Sequence, residues 1–305
     1  MNAELPDKAP KTRQDLYIAR TGYVDSNGVM IYFKTFGSGA PMFLLHGGPG
    51  VSHDYLVQPL LPLARMRQLV FIDERGCGNS QNNLPDSEYT LALMVEDVEN
   101  ARIALGFEKV DVFGHSFGGI LAQAYAIKYP QRVSALLLAG TGSSAQHVNS
   151  DLLEIKNRAS DDVKAQIDQL ERDGIYGKDG AQLPAYRKLV DQTLTNYMYV
   201  KEPAWDSKTI PTGWDAMRVV WGDKSDYEAT GDVKGFDFVD ELKKLKIRTL
   251  IIYGSSDIVS DRTAQATHAA IAESVLVRLE NAAHEMYVDQ PITFFEHVEK
   301  FLCDR

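Results

Sequence analysis

Cysteine is scarce: Cys77 and Cys303 are the two in 305 residues, too few for the disulfide framework that staples small secreted folds. No block of lysine or arginine occurs and the formal net charge is −10, which argues against a nucleic-acid or anionic-membrane partner. No apolar run approaches the roughly 20 residues a membrane helix requires. The opening MNAELPDKAPKTRQ lacks the apolar centre of a secretory signal. Together these absences lead us to expect a soluble, cytoplasmic protein. What is present is an ordinary globular balance, 44% hydrophobic and 24% charged, with length for a large core. The acidic surplus serves solubility and would also favour a cationic substrate.

Short apolar runs recur along the chain. After the turn residues Asp25 to Gly28, which suggest a hairpin, come VMIYFKTFG (29–37), PMFLL (41–45), QLVFID (68–73), KVDVFG (109–114), VSALLLAG (133–140), RTLIIYG (248–254) and SVLVRLE (274–280). Segments with helical apolar spacing, such as 90–105, 117–129 and 262–272, lie between most of them. Near-continuous apolar strands alternating with amphipathic helices indicate an α/β fold, a mostly parallel sheet flanked by helices. The alternation stops between about 143 and 240, a charged and aromatic stretch that carries Trp205, Trp214 and Trp221. Helical patterning over 150–172 and 184–200 marks it as a helical lid inserted after the sixth strand. A separate helical domain is the alternative, but strand–helix–strand resumes afterwards. The expected division is a core of 1–142 and 241–305, with 1–16 a loose arm, and a lid of 143–240.

The strongest chemical signal is Gly114-His115-Ser116-Phe117-Gly118, directly after an apolar strand and directly before the helix GILAQAYAIKY. This is the nucleophile elbow of an α/β-hydrolase fold. The flanking glycines relieve crowding at a sharp turn and leave the serine hydroxyl exposed at the carboxyl edge of the sheet. A serine needs a base, and the base an orienting acid. In this fold the chain order is serine, acid, histidine. Asp257 follows RTLIIYGSS and His284 follows SVLVRLENAA, so Ser116, Asp257 and His284 are the expected triad. Asp223, Asp226 and Asp261 are not placed at strand ends. His46 reads as structural, and His115 as pointing away from the nucleophile. No histidine or cysteine pair has a metal-ligand spacing, and Gly76-Cys77-Gly78 lacks the third glycine of a phosphate loop. Neither a metal nor a cofactor is expected.

His46-Gly-Gly-Pro-Gly50 ends a buried strand in bare backbone. Attack on a carbonyl builds an oxyanion that needs N–H donors placed in advance. Phe117, at the helix start, supplies one, aided by the helix dipole; Gly48 supplies the second.

HGGPG with VSHDYL after it, DERGCGNS (73–80), GHSFGG (114–119), GSSDIVS and NAAHEMYVDQP together resemble the proline iminopeptidases and related amino-acid amidases of the α/β-hydrolase superfamily. The resemblance runs from about residue 20 to the end. It implies hydrolysis of an N-terminal proline or small apolar residue from a small peptide or amide. It carries over the same triad and oxyanion donors. It also implies carboxylates that hold the substrate's free amine. The family often places one directly after the triad aspartate, where this chain has Ile258. Asp226 and Glu228 of the lid and Glu74 beside Asp73 are the candidates left. An esterase or lactonase whose substrate has no free amine is the enzymatic alternative. All three triad positions carry reactive residue types, which disfavours an inert ligand receptor.

Overall fold

The computed structural model describes residues 19–175, 183–201, 203 and 210–304. The arm expected at 1–16, and Trp205, lie outside the described residues. The expected hairpin is β1 (Arg20–Ser26) and β2 (Val29–Phe36), joined through Asn27 and Gly28. Both turn residues have positive φ, 54° and 91°, the backbone twist that suits a two-residue hairpin loop. Then follow β3 (Pro41–Leu45), α1 (Asp54–Leu60), β4 (Gln68–Ile72), α2 (Leu91–Ala104), β5 (Val110–His115), α3 (Phe117–Lys128) and β6 (Val133–Ala139). Helices α4 (Ala145–Arg158), α5 (Asp161–Asp173), α6 (Leu183–Met198), α7 (Trp214–Val220) and α8 (Val239–Leu242) come next. The chain closes with β7 (Thr249–Gly254), α9 (Asp261–Ala270), β8 (Ser274–Leu279), α10 (Met286–Asp289) and α11 (Pro291–Cys303).

Among the described residues one sheet forms, in the order β1-β2-β4-β3-β5-β6-β7-β8. The β1/β2 and β2/β4 pairs are antiparallel and the rest parallel. The apolar runs are continuous because both faces are covered. Phe43, Leu45, Val70 and Ile72 face the core under α2 and α3, while Met42, Leu44, Leu69 and Phe71 face the core under α1 and α11. Alternate side chains of one strand thus enter opposite layers.

The helical patterning read across 150–172 is two helices rather than one. The backbone turns extended at Ala159 and Ser160, and the Ser160 hydroxyl caps the next helix by accepting from Val163 N–H at 3.4 Å. Where this insertion leaves and rejoins the sheet, its two ends are tied. Ala145 N–H donates to Phe236 O at 2.7 Å and Phe238 N–H donates to Ser143 O at 2.9 Å. Helix α8 then packs against α3 and α9 of the core.

The segment after β4 is organised by two buried ions. Asp73 accepts His53 N–H at 2.8 Å, the His53 ring at 2.8 Å and Asn79 N–H at 2.8 Å. Arg75 grips Asp97 with two bonds of 2.7 Å and reaches Glu88 O at 3.0 Å. Arg75 and Asp97 are each 2% exposed. The Asp-x-Arg-Gly-x-Gly-x-Ser motif therefore does structural work. Removing one partner of a buried pair strands the other charge, so Arg75→Met should cost about 3–5 kcal/mol, read from urea unfolding. A loss below 1 kcal/mol would show that the pair contributes little.

Candidate active site

The strand ends at the carboxyl edge bring Ser116 and His284 to one cavity, with Asp257 against the His284 ring. Ser116 follows β5, Asp257 follows β7 and His284 follows β8, and Ser116 and His284 both line a cavity of about 730 Å³. Ser116 has φ 55° and ψ −121°, a strained conformation for a residue with a Cβ. It is the N-cap of α3, so Phe117 N–H lies in the first turn, where helix donors have no partner inside the helix.

The His284 ring is held from its far side. Asp257 Oδ1 lies 2.6 Å from Nδ1, and the carboxylate is itself fixed by Val259 N–H at 3.1 Å and Gly254 N–H at 3.2 Å. With Nδ1–H committed to Asp257, Nε2 of a neutral ring is left as the basic nitrogen. Gly140 lies against this pair. A Cβ there would sit 3.0 Å from His284 Nδ1 and 3.2 Å from Asp257 Oδ2, and its φ of 56° suits glycine.

His115 connects the serine turn to the histidine loop. Its Nε2 lies 3.0 Å from His284 O, so Nε2–H donates to that carbonyl. Nδ1 then accepts from the Tyr55 hydroxyl at 2.7 Å. The Tyr55 oxygen in turn accepts Gly47 N–H at 2.7 Å. One relay thus runs from the glycine loop through Tyr55 and His115 to the backbone of His284.

In the glycine loop, Gly47 lies against the serine, since a Cβ on it would be 3.0 Å from Ser116 Cβ. Its N–H is taken by Tyr55, which leaves Gly48, exposed to the cavity, as the next amide along. His46 beneath the loop is fully buried. Its Nδ1–H donates to Gly47 O at 2.8 Å, and its Nε2 lies 2.9 Å from Glu74 Oε2. Burial alone would lower the His46 pKa, but the Glu74 carboxylate outweighs it and lifts the group to about 9. Burial likewise raises the Glu74 carboxyl, partly offset by His46. Cys77 lies near both, and burial pushes its thiol well up. With both ring nitrogens of His46 committed, the group reads as an ion pair bracing the loop.

Comparison with known proteins places the chain in a family. The family model for the alpha/beta hydrolase fold matches residues 40–291. The chain belongs to that family. It is 31% identical to a proline iminopeptidase of Saccharolobus solfataricus over 92% of this chain and 91% of that protein. With a proline iminopeptidase of Lactobacillus delbrueckii subsp. lactis it shares 32% identity over 87% of this chain and 91% of the other. The crystal structure of a Mycobacterium smegmatis proline iminopeptidase superposes with a TM-score of 0.76 at 20% identity, covering 93% of this chain and 97% of that one. The chain is a hydrolase of the proline iminopeptidase family. Among the described residues no helix is long and apolar enough to cross a membrane.

The hydrolase distributes the three amine-binding candidates differently from expectation. Asp226 lines the cavity but is ion-paired with Arg187, which also binds Asp191 at 2.9 Å and has Trp214 over it. Glu228 is exposed and outside the cavity lining, and Glu74 is buried behind the glycine loop beside His46. Glu285, which the sequence reading passed over, is buried and lines the cavity directly after His284. Tyr199 donates to its Oε1 at 2.7 Å. Its adjacency to the histidine is the one signal that could have found it.

His46 has a pKa raised by folding, from the usual 6.5 to about 9. The stability it contributes is therefore complete below pH 6.5 and is lost as pH rises through 9. The melting temperature should fall across that window in the wild type and fall less in Glu74→Gln. Parallel profiles for the two proteins would remove the ion pair from the account.

Proposed function

We propose that this hydrolase cleaves an N-terminal residue, proline or a small apolar one, from short peptides or amino-acid amides through an acyl-enzyme on Ser116. The observation that carries the reading is the His284–Asp257 contact of 2.6 Å in the same cavity as a serine held at φ 55°. His284 Nε2 takes the Ser116 proton as Oγ attacks the scissile carbonyl. The oxyanion draws on Gly48 and Phe117 N–H. His284 then gives the proton to the leaving amine, and a water, deprotonated by the same nitrogen, releases the amino acid.

Charge around the cavity favours a cationic substrate group. Asp191, Asp226 and Glu285 line it against Arg187, and Arg187 is already shared by the two aspartates. We assign the free amine to Glu285, the buried carboxylate beside the base. Ile258 also lines the cavity where the family resemblance expects a carboxylate, and this favours a second reading: an esterase or lactonase acting without an amine.

Ser116→Ala should reduce turnover on the order of 10³-fold or more and abolish covalent labelling by a fluorophosphonate. Asp257→Asn should cost about 10⁴-fold, as in an analogous triad where the amide favours the wrong histidine tautomer. More than a tenth of wild-type activity in Ser116→Ala would remove that serine from the mechanism.

The amine assignment has its own measurement. Glu285→Gln should raise KM for prolyl and alanyl nitroanilides roughly 10- to 100-fold, the scale of one lost charge-assisted contact, while a plain nitrophenyl ester is turned over as before. If the wild type prefers N-blocked substrates or plain esters to free-amine ones, the aminopeptidase reading gives way to the esterase.

A further inference from the structure

Three segments hold the residue His284. Its ring is fixed by Asp257 and its carbonyl by His115. Its amide is fixed by the lid: His284 N–H donates to Tyr197 O at 2.9 Å, and Glu285 N–H donates to Met198 O at 3.0 Å. These carbonyls belong to the last turn of α6, so part of the insertion lies directly along the histidine loop.

Asp289, half-buried at the end of α10, closes this seam. Its Oδ2 accepts Ala283 N–H at 2.8 Å and Val200 N–H at 3.1 Å. Its Oδ1 accepts Val200 N–H at 3.0 Å and Lys201 N–H at 3.3 Å. Two of these amides belong to the lid and one to the residue before His284. Three N–H donors converging on one point call for a group that only accepts and offers two oxygens, which is an ionised carboxylate. An asparagine would turn its own NH₂ toward one of those donors.

We propose that Asp289 is a positioning residue for His284, and that through it the lid sets the geometry of proton transfer as well as the shape of the cavity. This rests on the serine mechanism proposed above. Ser116 and His284 come from different strand ends, and the loop carrying the histidine sets where Nε2 lies relative to the serine. A displacement of about 1 Å at such a pair is enough to cost on the order of 10²-fold in rate.

The decisive reaction is labelling of Ser116 by a small fluorophosphonate. It needs the serine activated by His284 but makes no use of an amine site or an extended cavity. Asp289→Asn should slow labelling roughly 10- to 100-fold. It should lower kcat for prolyl nitroanilide and for a small ester alike, with KM little changed. Val200→Pro deletes one of the two lid donors without touching residues 283–289, and is expected to slow labelling in the same direction. It serves as the test should Asp289→Asn fail to fold, folding being judged by near-UV circular dichroism and a cooperative melt.

A folded variant of either kind that is labelled at the wild-type rate, with only KM raised, overturns the proposal and leaves the lid a substrate-holding role. Failure of the mechanism beneath it looks different, because the wild type itself would then go unlabelled at Ser116.

Discussion

The left-handed backbone of Ser116 is the constraint around which the rest is arranged. A residue with a Cβ stays at φ 55° only if its surroundings permit nothing else. Here α3 is pressed so tightly onto the sheet that a Cβ on Gly118 would run into the carbonyl oxygens of Leu45 and His46, and one on Gly114 into the Gly118 carbonyl. The close packing of β3, β5 and the first turn of α3 fixes the turn, and the turn exposes the hydroxyl. Those same carbonyls open the glycine loop, so Ser116 and that loop are placed by a single contact between layers.

Support for that contact comes from buried charge on the neighbouring strand. Asp73 and Arg75 knot the segment after β4, and Glu74 between them braces His46 under the glycine loop. Successive residues of one motif thus face three directions and tie three structures together. Buried ions of this kind add little net stability compared with apolar packing, and their removal singly is costly. Their use here is geometric: they define where a glycine-rich loop must lie.

Much of this was legible in the sequence, for reasons that differ by residue. The strands announce themselves because each buries both faces, and the triad candidates because a strand-end position is a statement about chain order. Gly48 is singled out through its neighbours in HGGPG, and it lines the same cavity as Ser116. The surroundings of the candidate carboxylates were not legible, because what faces a side chain is set by tertiary structure. Asp226 looks available until Arg187 arrives from 39 positions earlier, and Glu228 looks equivalent until its side of the lid is known. The split of 150–172 at Ser160 was masked by apolar spacing that carries across the break. His115, read as turned away from the nucleophile, makes its contacts with Tyr55 and the His284 carbonyl, and that relay is invisible without tertiary structure.

The tied ends of the insertion carry a consequence for how such proteins diversify. Ser143 and Ala145 are hydrogen-bonded to Phe238 and Phe236, so the excursion leaves and returns through one narrow doorway. The sheet then senses the doorway, not the number of residues beyond it. Loop closure becomes only about 0.6 kcal/mol harder for each doubling of length, so a lineage can lengthen, shorten or rebuild what lies outside while the sheet folds as before. What cannot drift freely is the short stretch that lies along the histidine loop. Sequence change is therefore freest in most of the insertion, and most constrained at the few residues that share a backbone seam with the His284 loop.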